Sequence, residues 1–326
     1  MPTISVVVPA YNVERTILET LRSVQKQTFS DFEIIVINDG STDGTVELLN
    51  TVQDPRLNVF SYSNGGLPVA RNRGISQAKG EFITFLDADD LWTPDKLELQ
   101  LAALQQNPEA AVAYSWTCNM DEKGENFYPG HQVNFEGNVY PKLLLGNFIS
   151  SGSNIMIRQK AIASVGEFDP TLRSCEDWDF YLRLAASWQF VVVPKPQILY
   201  RQSSGAMSSK TDVMERYHIL VLERALQTAP PELQALKNQS IAILYQYLAG
   251  LCLARVNDIN QVKQASKKLR MAIRLYPKIL LDRITQRYMM KCLIMQLLSP
   301  KIASYFTRSV SKTREMGDPR LKQEGN

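Results

Sequence analysis

Three carboxylates fall within four positions at Asp87-Ala88-Asp89-Asp90. Carboxylates this close repel one another and destabilise a fold unless a cation offsets them. Mg²⁺ and Mn²⁺ suit that task, because they prefer carboxylate oxygen and bind through few protein ligands plus phosphates. An acidic turn opening a helix before Leu91-Trp92-Thr93-Pro94 is the plainer alternative. A second cluster, Cys175-Glu176-Asp177-Trp178-Asp179, sets three acids around an indole. Acids in a first helical turn satisfy the helix dipole, and a carboxylate desolvated against Trp178 can serve as general base. The run Asp39-Gly40-Ser41-Thr42-Asp43-Gly44 reads as a turn that caps a helix, with Asp39 placed to accept hydrogen bonds from a base or ribose. Asn64-Gly65-Gly66 precedes Ala70-Arg71-Asn72-Arg73-Gly74. Glycines allow close backbone approach and a helix start favours anions, so Arg71 is either a phosphate or base contact or a surface arginine.

These residues need elements to hold them. Residues 5–8 and 32–37 read as buried strands, 57–62 and 82–86 as a third and a fourth strand, and 13–27, 42–52 and 67–79 as helices between them, with Ser41 or Thr42 as an N-cap. Such alternation predicts a mostly parallel sheet flanked by helices, an α/β fold in which ligands bind beyond the carboxyl ends of the strands. Pro9-Ala10-Tyr11-Asn12, the Asp39 turn and the Asp87 cluster all lie at such ends. Further along, 97–104 and 178–186 read as helices, 110–116, 155–158 and 190–193 as strands, and 121–137 as a loop or hairpin. From residue 213 the apolar spacing is helical, punctuated by Pro230-Pro231 and Pro277, which predicts a C-terminal helical appendage.

Composition narrows the chemistry. The 326 residues contain four scattered cysteines and two histidines, His131 and His218, so a Cys/His zinc site is not expected. No run reaches the ~18 apolar residues of a membrane span, and no secretory leader is visible. From Thr211 onward there are 19 Lys/Arg against 9 Asp/Glu, whereas the front is acidic, which argues against a nucleic-acid groove there. In the tail Arg270, Arg274, Lys278, Arg283, Arg287, Lys291 and Lys301 interleave with Leu275, Ile279, Leu280, Ile284, Met289 and Leu293, which suggests peripheral contact with anionic lipid, a dimer surface or solvated helices. There is no GxGxxG after the first strand and no GxxxxGK[ST].

Taken together, Val8-Pro9-Ala10-Tyr11-Asn12, Asn38-Asp39-Gly40-Ser41-Thr42-Asp43, Ala70-Arg71-Asn72-Arg73-Gly74, Leu86-Asp87-Ala88-Asp89-Asp90 and Glu176-Asp177-Trp178-Asp179 resemble, in order and spacing, family 2 inverting glycosyltransferases with the GT-A fold. The resemblance covers residues 1–209. It implies a catalytic domain at 1–210, while the apolar spacing marks a helical region at 211–310 and the polar composition a disordered tail at 311–326. It implies that Pro9, Tyr11 and Glu14 line the nucleotide pocket, that Asp39 bonds the base, and that Arg71 lies near the base or diphosphate. Asp87 would contact ribose or sugar, Asp89 would bind Mn²⁺ or Mg²⁺, Asp177 would be the catalytic base, and Glu176 and Trp178 would shape the acceptor site. The implied reaction is inverting, metal-dependent transfer from a nucleotide-sugar, a UDP-sugar foremost, to a glycan or lipid-linked acceptor in the cytoplasm, as in cell-surface polysaccharide synthesis. Where the family often carries a histidine, this sequence has Ser203, leaving Arg201 or Ser208 as phosphate contacts. It also lacks the QxxRW of processive synthases, so a non-processive enzyme is expected. A sugar nucleotidyltransferase and a non-catalytic sugar-binding module are the alternatives.

Overall fold

A computed structural model describes residues 1–130, 132–202, 211–254 and 259–297. Expectations resting on His131, Ser203, Ser208, Lys301 and the tail at 311–326 lie outside the described residues. The chain divides into two compact units, Met1–Gln234 and Ala235–Asn326.

The first unit is built on one mixed sheet. Strands β1 (Ile4–Ala10) and β2 (Phe32–Asn38) are buried along their whole length, as their β-branched sequences require. They pair in parallel, with β3 (Leu57–Ser61) outside β2 and β4 (Phe82–Phe85) on the other side of β1. Helix α1 (Ile17–Gln25) buries Ile17, Leu21 and Val24, and α3 (Leu67–Gln77) covers β1 and β2. Helix α2 (Thr45–Asn50) starts later than expected. Neither Ser41 nor Thr42 caps it; Asp43 accepts hydrogen bonds from the Thr45 amide and hydroxyl. Ser41 and Thr42 instead tie the loop to Asn12.

After a short β5 (Leu91–Trp92) and α4 (Lys96–Gln106) comes β6 (Ala110–Met120), which forms a hairpin with β7 (Phe127–Pro129). Past α5 (Tyr140–Leu145), β8 (Met156–Arg158) runs antiparallel to both β4 and β6. The last strand, β9 (Gln189–Arg201), pairs with both β6 and β5, so the sheet order is β3-β2-β1-β4-β8-β6-β9-β5. Helices α6 (Gln159–Val165) and α7 (Glu176–Ala185) precede β9 (Gln189–Arg201). Strand β9 does not stop at Pro194 and Pro196 as their sequence suggests. The β6–β9 register slips around Trp116, and such irregularities accommodate residues that cannot donate to a ladder.

Helix α8 (Thr211–Thr228) belongs to this unit, which ends at Gln234 and not at residue 210. It packs on α7, stacks the His218 ring on Trp178 at 4.0 Å, and its Ala225 carbonyl accepts the Tyr140 hydroxyl. A short α9 (Pro231–Gln234) closes the unit. The second unit contains α10 (Lys237–Ala254), α11 (Ile259–Leu275), a 3-10 turn (Pro277–Leu281) and α12 (Arg283–Leu297). Its core joins Ala249, Leu253, Val262, Leu269, Cys292 and Met295. All four cysteines are free thiols, and no helix among the described residues is long and apolar enough to cross a membrane.

Candidate active site

Parallel pairing of β1 with β2 and β4 brings the polar clusters after these strands to one rim. The first two loops are stitched together. Glu14 accepts a hydrogen bond from the Gly44 amide at 2.8 Å while its own amide donates to Asp43. Glu14 is thus a loop brace at an exposed position. Tyr11 stands out from the rim, 51% exposed, whereas Pro9 is buried inside β1. Asp39 is buried, and its carboxylate is taken up by the Gly65 and Gly66 amides and by Arg73 at 2.7 Å. Its role in this structure is to hold the Gly65-Gly66 turn against the end of β2. Gly40 has φ +78°, and a Cβ there would lie 2.9 Å from the Asn64 nitrogen, so only glycine fits.

Arg71 is a buried residue, not a surface one. Its guanidinium bridges Asp87 at 2.8 Å and Glu176 at 2.9 Å, joining the end of β4 to the start of α7. Desolvation opposes its charge, but the two carboxylates overcome that and raise its pKa. Phe168 covers the guanidinium at 5.2 Å and is itself fixed by a reciprocal pair of hydrogen bonds with the Asn72 side chain.

The three aspartates diverge in environment. Asp87 is held by Arg71 and by the Ser153 hydroxyl, which accepts its amide. Asp90 is fully buried and is not a helix-start acid, because Leu91–Trp92 is a strand. Its carboxylate accepts the Ser151 and Ser153 hydroxyls and the Arg201 amide. Burial, with Asp89 and Asp87 nearby, holds its pKa well above the usual range. Asp89 has no ion pair among the described residues; burial and then Asp87 push its pKa up to about 6. Arg201 does not reach outward. It donates to the Asp89 and Glu122 carbonyls and to the Glu19 carboxylate, locking the back of the acidic turn.

Asp177 lies in the first turn of α7 after Cys175, which adopts the left-handed region at φ 61°. Burial first, then the Glu176 charge, raises its pKa to about 6, while Arg71 and the Trp178 amide pull it down. Trp178 is buried, donates its indole N–H to the Leu143 carbonyl, and faces the core instead of an open acceptor surface.

Sequence reasoning passed over residues 146–154, the loop entering β8. Asn147 donates to Asp177 Oδ2 at 3.0 Å, and its own carbonyl accepts the Ile149 amide, which fixes the orientation of the side chain. Ser151 and Ser153 hold Asp90, and the Trp92 indole donates to the Ser153 carbonyl. A Cβ on Gly152 would lie 2.3 Å from Arg71 Nη2. The available signal was the Gly/Ser/Asn run ahead of an apolar strand.

The rim thus presents a half-buried carboxylate with no ion pair among the described residues, a bridging arginine and a second carboxylate of raised pKa on a helix start. The mixed sheet with its flanking helices is the fold of the GT-A glycosyltransferases. S. aureus TarS in complex with UDP-GlcNAc shares it, with a TM-score of 0.56, 20% identity, and coverage of 88% of this chain and 92% of that one. So does the mannosyltransferase PcManGT from Pyrobaculum calidifontis, in complex with GDP-Man and Mn²⁺, with a TM-score of 0.60, 16% identity, and coverage of 97% and 88%. The chain belongs to the family described as glycosyltransferase like family 2, which matches residues 5–249. An uncharacterized glycosyltransferase of Rickettsia bellii is 39% identical over 142 residues, 43% of this chain and 20% of that protein. The match therefore spans about a fifth of that relative's length.

Proposed function

We propose that the chain transfers a sugar from a nucleoside-diphosphate sugar to an acceptor hydroxyl with inversion, Asp177 acting as general base. The observation that carries this reading is Asp177 itself. It is half-buried, raised to about 6, fixed by Asn147, and next in sequence to Glu176, which Arg71 bridges to Asp87. Such a carboxylate is ionised at neutral pH yet basic enough to take a proton. The acceptor O–H proton moves to Asp177, the oxygen attacks the anomeric carbon from the face opposite the diphosphate, and the C–O bond breaks with its electron pair leaving on the nucleoside diphosphate. One displacement inverts the configuration.

The donor side rests on Tyr11, the Gly65-Gly66 turn and Asp87. Pro9, Glu14 and Asp39 shape this pocket from behind, and Glu176 and Trp178 set the pitch of α7 beneath the acceptor. Asp89 suits a hard divalent cation, since its oxygens have no ion pair among the described residues and its ionised form is disfavoured without a positive charge. Among the described residues no group of three or more metal-ligating side chains gathers, so Asp89 is the residue that would hold the cation. Bound there, Mn²⁺ or Mg²⁺ supplies charge neutralisation to the leaving diphosphate. A UDP-sugar is the first donor to test, because TarS is seen with UDP-GlcNAc. The acceptor class is a glycan or lipid-linked glycan, extended by one sugar per encounter on the cytoplasmic side.

A panel of UDP- and GDP-sugars, followed by nucleoside diphosphate release with and without Mn²⁺, tests this reading. Release that needs Asp177 and an added divalent cation is expected. Release that persists at full rate in Asp177→Asn would overturn the assignment of the base.

A further inference from the structure

Helix α12 in the second unit is apolar on two sides. Its inner side buries Thr285, Cys292 and Met295. Its outer side carries Met290, Leu293 and Leu297, which are 58%, 52% and 76% exposed and follow at helical spacings of three and four. Met289, 41% exposed, flanks this stripe. Arg283 and Arg287 are exposed on the same outer side, two turns and one turn before Met290 respectively. A packed helix normally offers one apolar stripe; a second, rimmed by arginines, marks a surface built to contact something else.

Charge decides what that something is. The unit Ala235–Asn326 holds 17 Lys/Arg against 5 Asp/Glu, a net of +12, while Met1–Gln234 holds 19 against 28, a net of −9. The asymmetry follows the structural division. A second copy of the same basic unit would be repelled, whereas an anionic surface would be attracted. An apolar stripe beside cations matches the headgroup boundary of an anionic bilayer, where both contribute to binding. The helix is too short and too charged to cross that bilayer. We propose that the outer side of α12 docks the chain on an anionic lipid surface, with Met290, Leu293 and Leu297 entering the headgroup region and Arg283 and Arg287 meeting lipid phosphates.

The test is co-sedimentation of the full chain with vesicles of phosphatidylcholine alone or mixed with phosphatidylglycerol. Binding to the anionic vesicles only is expected. It should fall by about tenfold or more in Leu293→Glu/Leu297→Glu and in Arg283→Glu/Arg287→Glu. Both variants should keep the wild-type melting temperature and, without vesicles, the wild-type rate of nucleotide-sugar turnover. Equal pelleting with both vesicle types, or unchanged pelleting of either folded variant, overturns the proposal. So does light scattering that shows a dimer which Leu293→Glu/Leu297→Glu dissociates, with no vesicle binding. Absence of turnover in every sample would count against the proposed function and leave the docking result standing.

Discussion

Arg71 Nη1 lies 2.9 Å from Glu176 Oε1, an ion pair between residues 105 positions apart. With the Asp87 contact it ties the donor side of the rim to the helix that carries Asp177. Loss of one partner from a buried pair leaves uncompensated charge and destabilises by about 3–5 kcal/mol. Arg71→Ala should therefore melt much earlier than wild type. Arg71→Lys should recover only part of that loss, because one ammonium cannot form the two-pronged bridge. Thermal melting checks both, and equal melting temperatures for Lys and Arg would contradict the bridge.

Asn147→Ala should lower kcat by about tenfold or more with little change in donor KM, since the residue acts on Asp177 and not on the donor. Removing a donor to a carboxylate disfavours its charged form, so the acid limb of the pH–rate profile should move upward. Asn147→Asp should move it further through like-charge repulsion. A profile that stays in place assigns Asn147 a structural role only.

Asp177→Asn should reduce transfer by about a hundredfold to ten-thousandfold while donor binding persists. In the wild type, activity should fall as pH drops through about 6, where the base takes up its proton. Calorimetric titration of the donor into the variant separates loss of the base from loss of the site.

Asp89 gives the opposite sign for stability. Its folded pKa, about 6, lies above the ordinary 3.8, so its proton is bound more tightly in the folded state. Its contribution falls as pH rises from about 4 to about 6 and stays unfavourable above that. Asp89→Asn should thus be more stable than wild type by about 1–2 kcal/mol at neutral pH without metal. The stabilisation of the wild type by Mn²⁺ should be lost in the variant. Melting curves with and without Mn²⁺ at pH 7 test both statements.

Gly152→Ala should disturb Arg71 and Asp87 together, because the new methyl meets the guanidinium at 2.3 Å. A destabilisation of about 1–3 kcal/mol and weaker donor binding are expected. An unperturbed variant would show that the loop yields.

The sequence carried the parallel half of the sheet because β1 and β2 are continuous β-branched runs, and a fully buried strand needs such a face on both sides. It carried the carboxylates after β4 and at the start of α7, because residue type and spacing are local properties. It could not show β9 continuing through Pro194 and Pro196, since that depends on slips in a partner strand 80 residues away.

The division of labour among the acids was likewise decided only by folding. Nothing local separates Asp87, Asp89 and Asp90; the fold gives the first to Arg71, the last to Ser151 and Ser153, and Asp89 no ion pair among the described residues. Asp39 read as a free acceptor until the Gly65-Gly66 turn and Arg73 closed on it. Asn147 was invisible because its meaning lies in a contact across 30 residues of chain. The sequence by itself determined which charges and apolar stripes exist. Tertiary structure decided which charges meet a partner, because burial and pairing depend on distances that spacing along the chain does not specify.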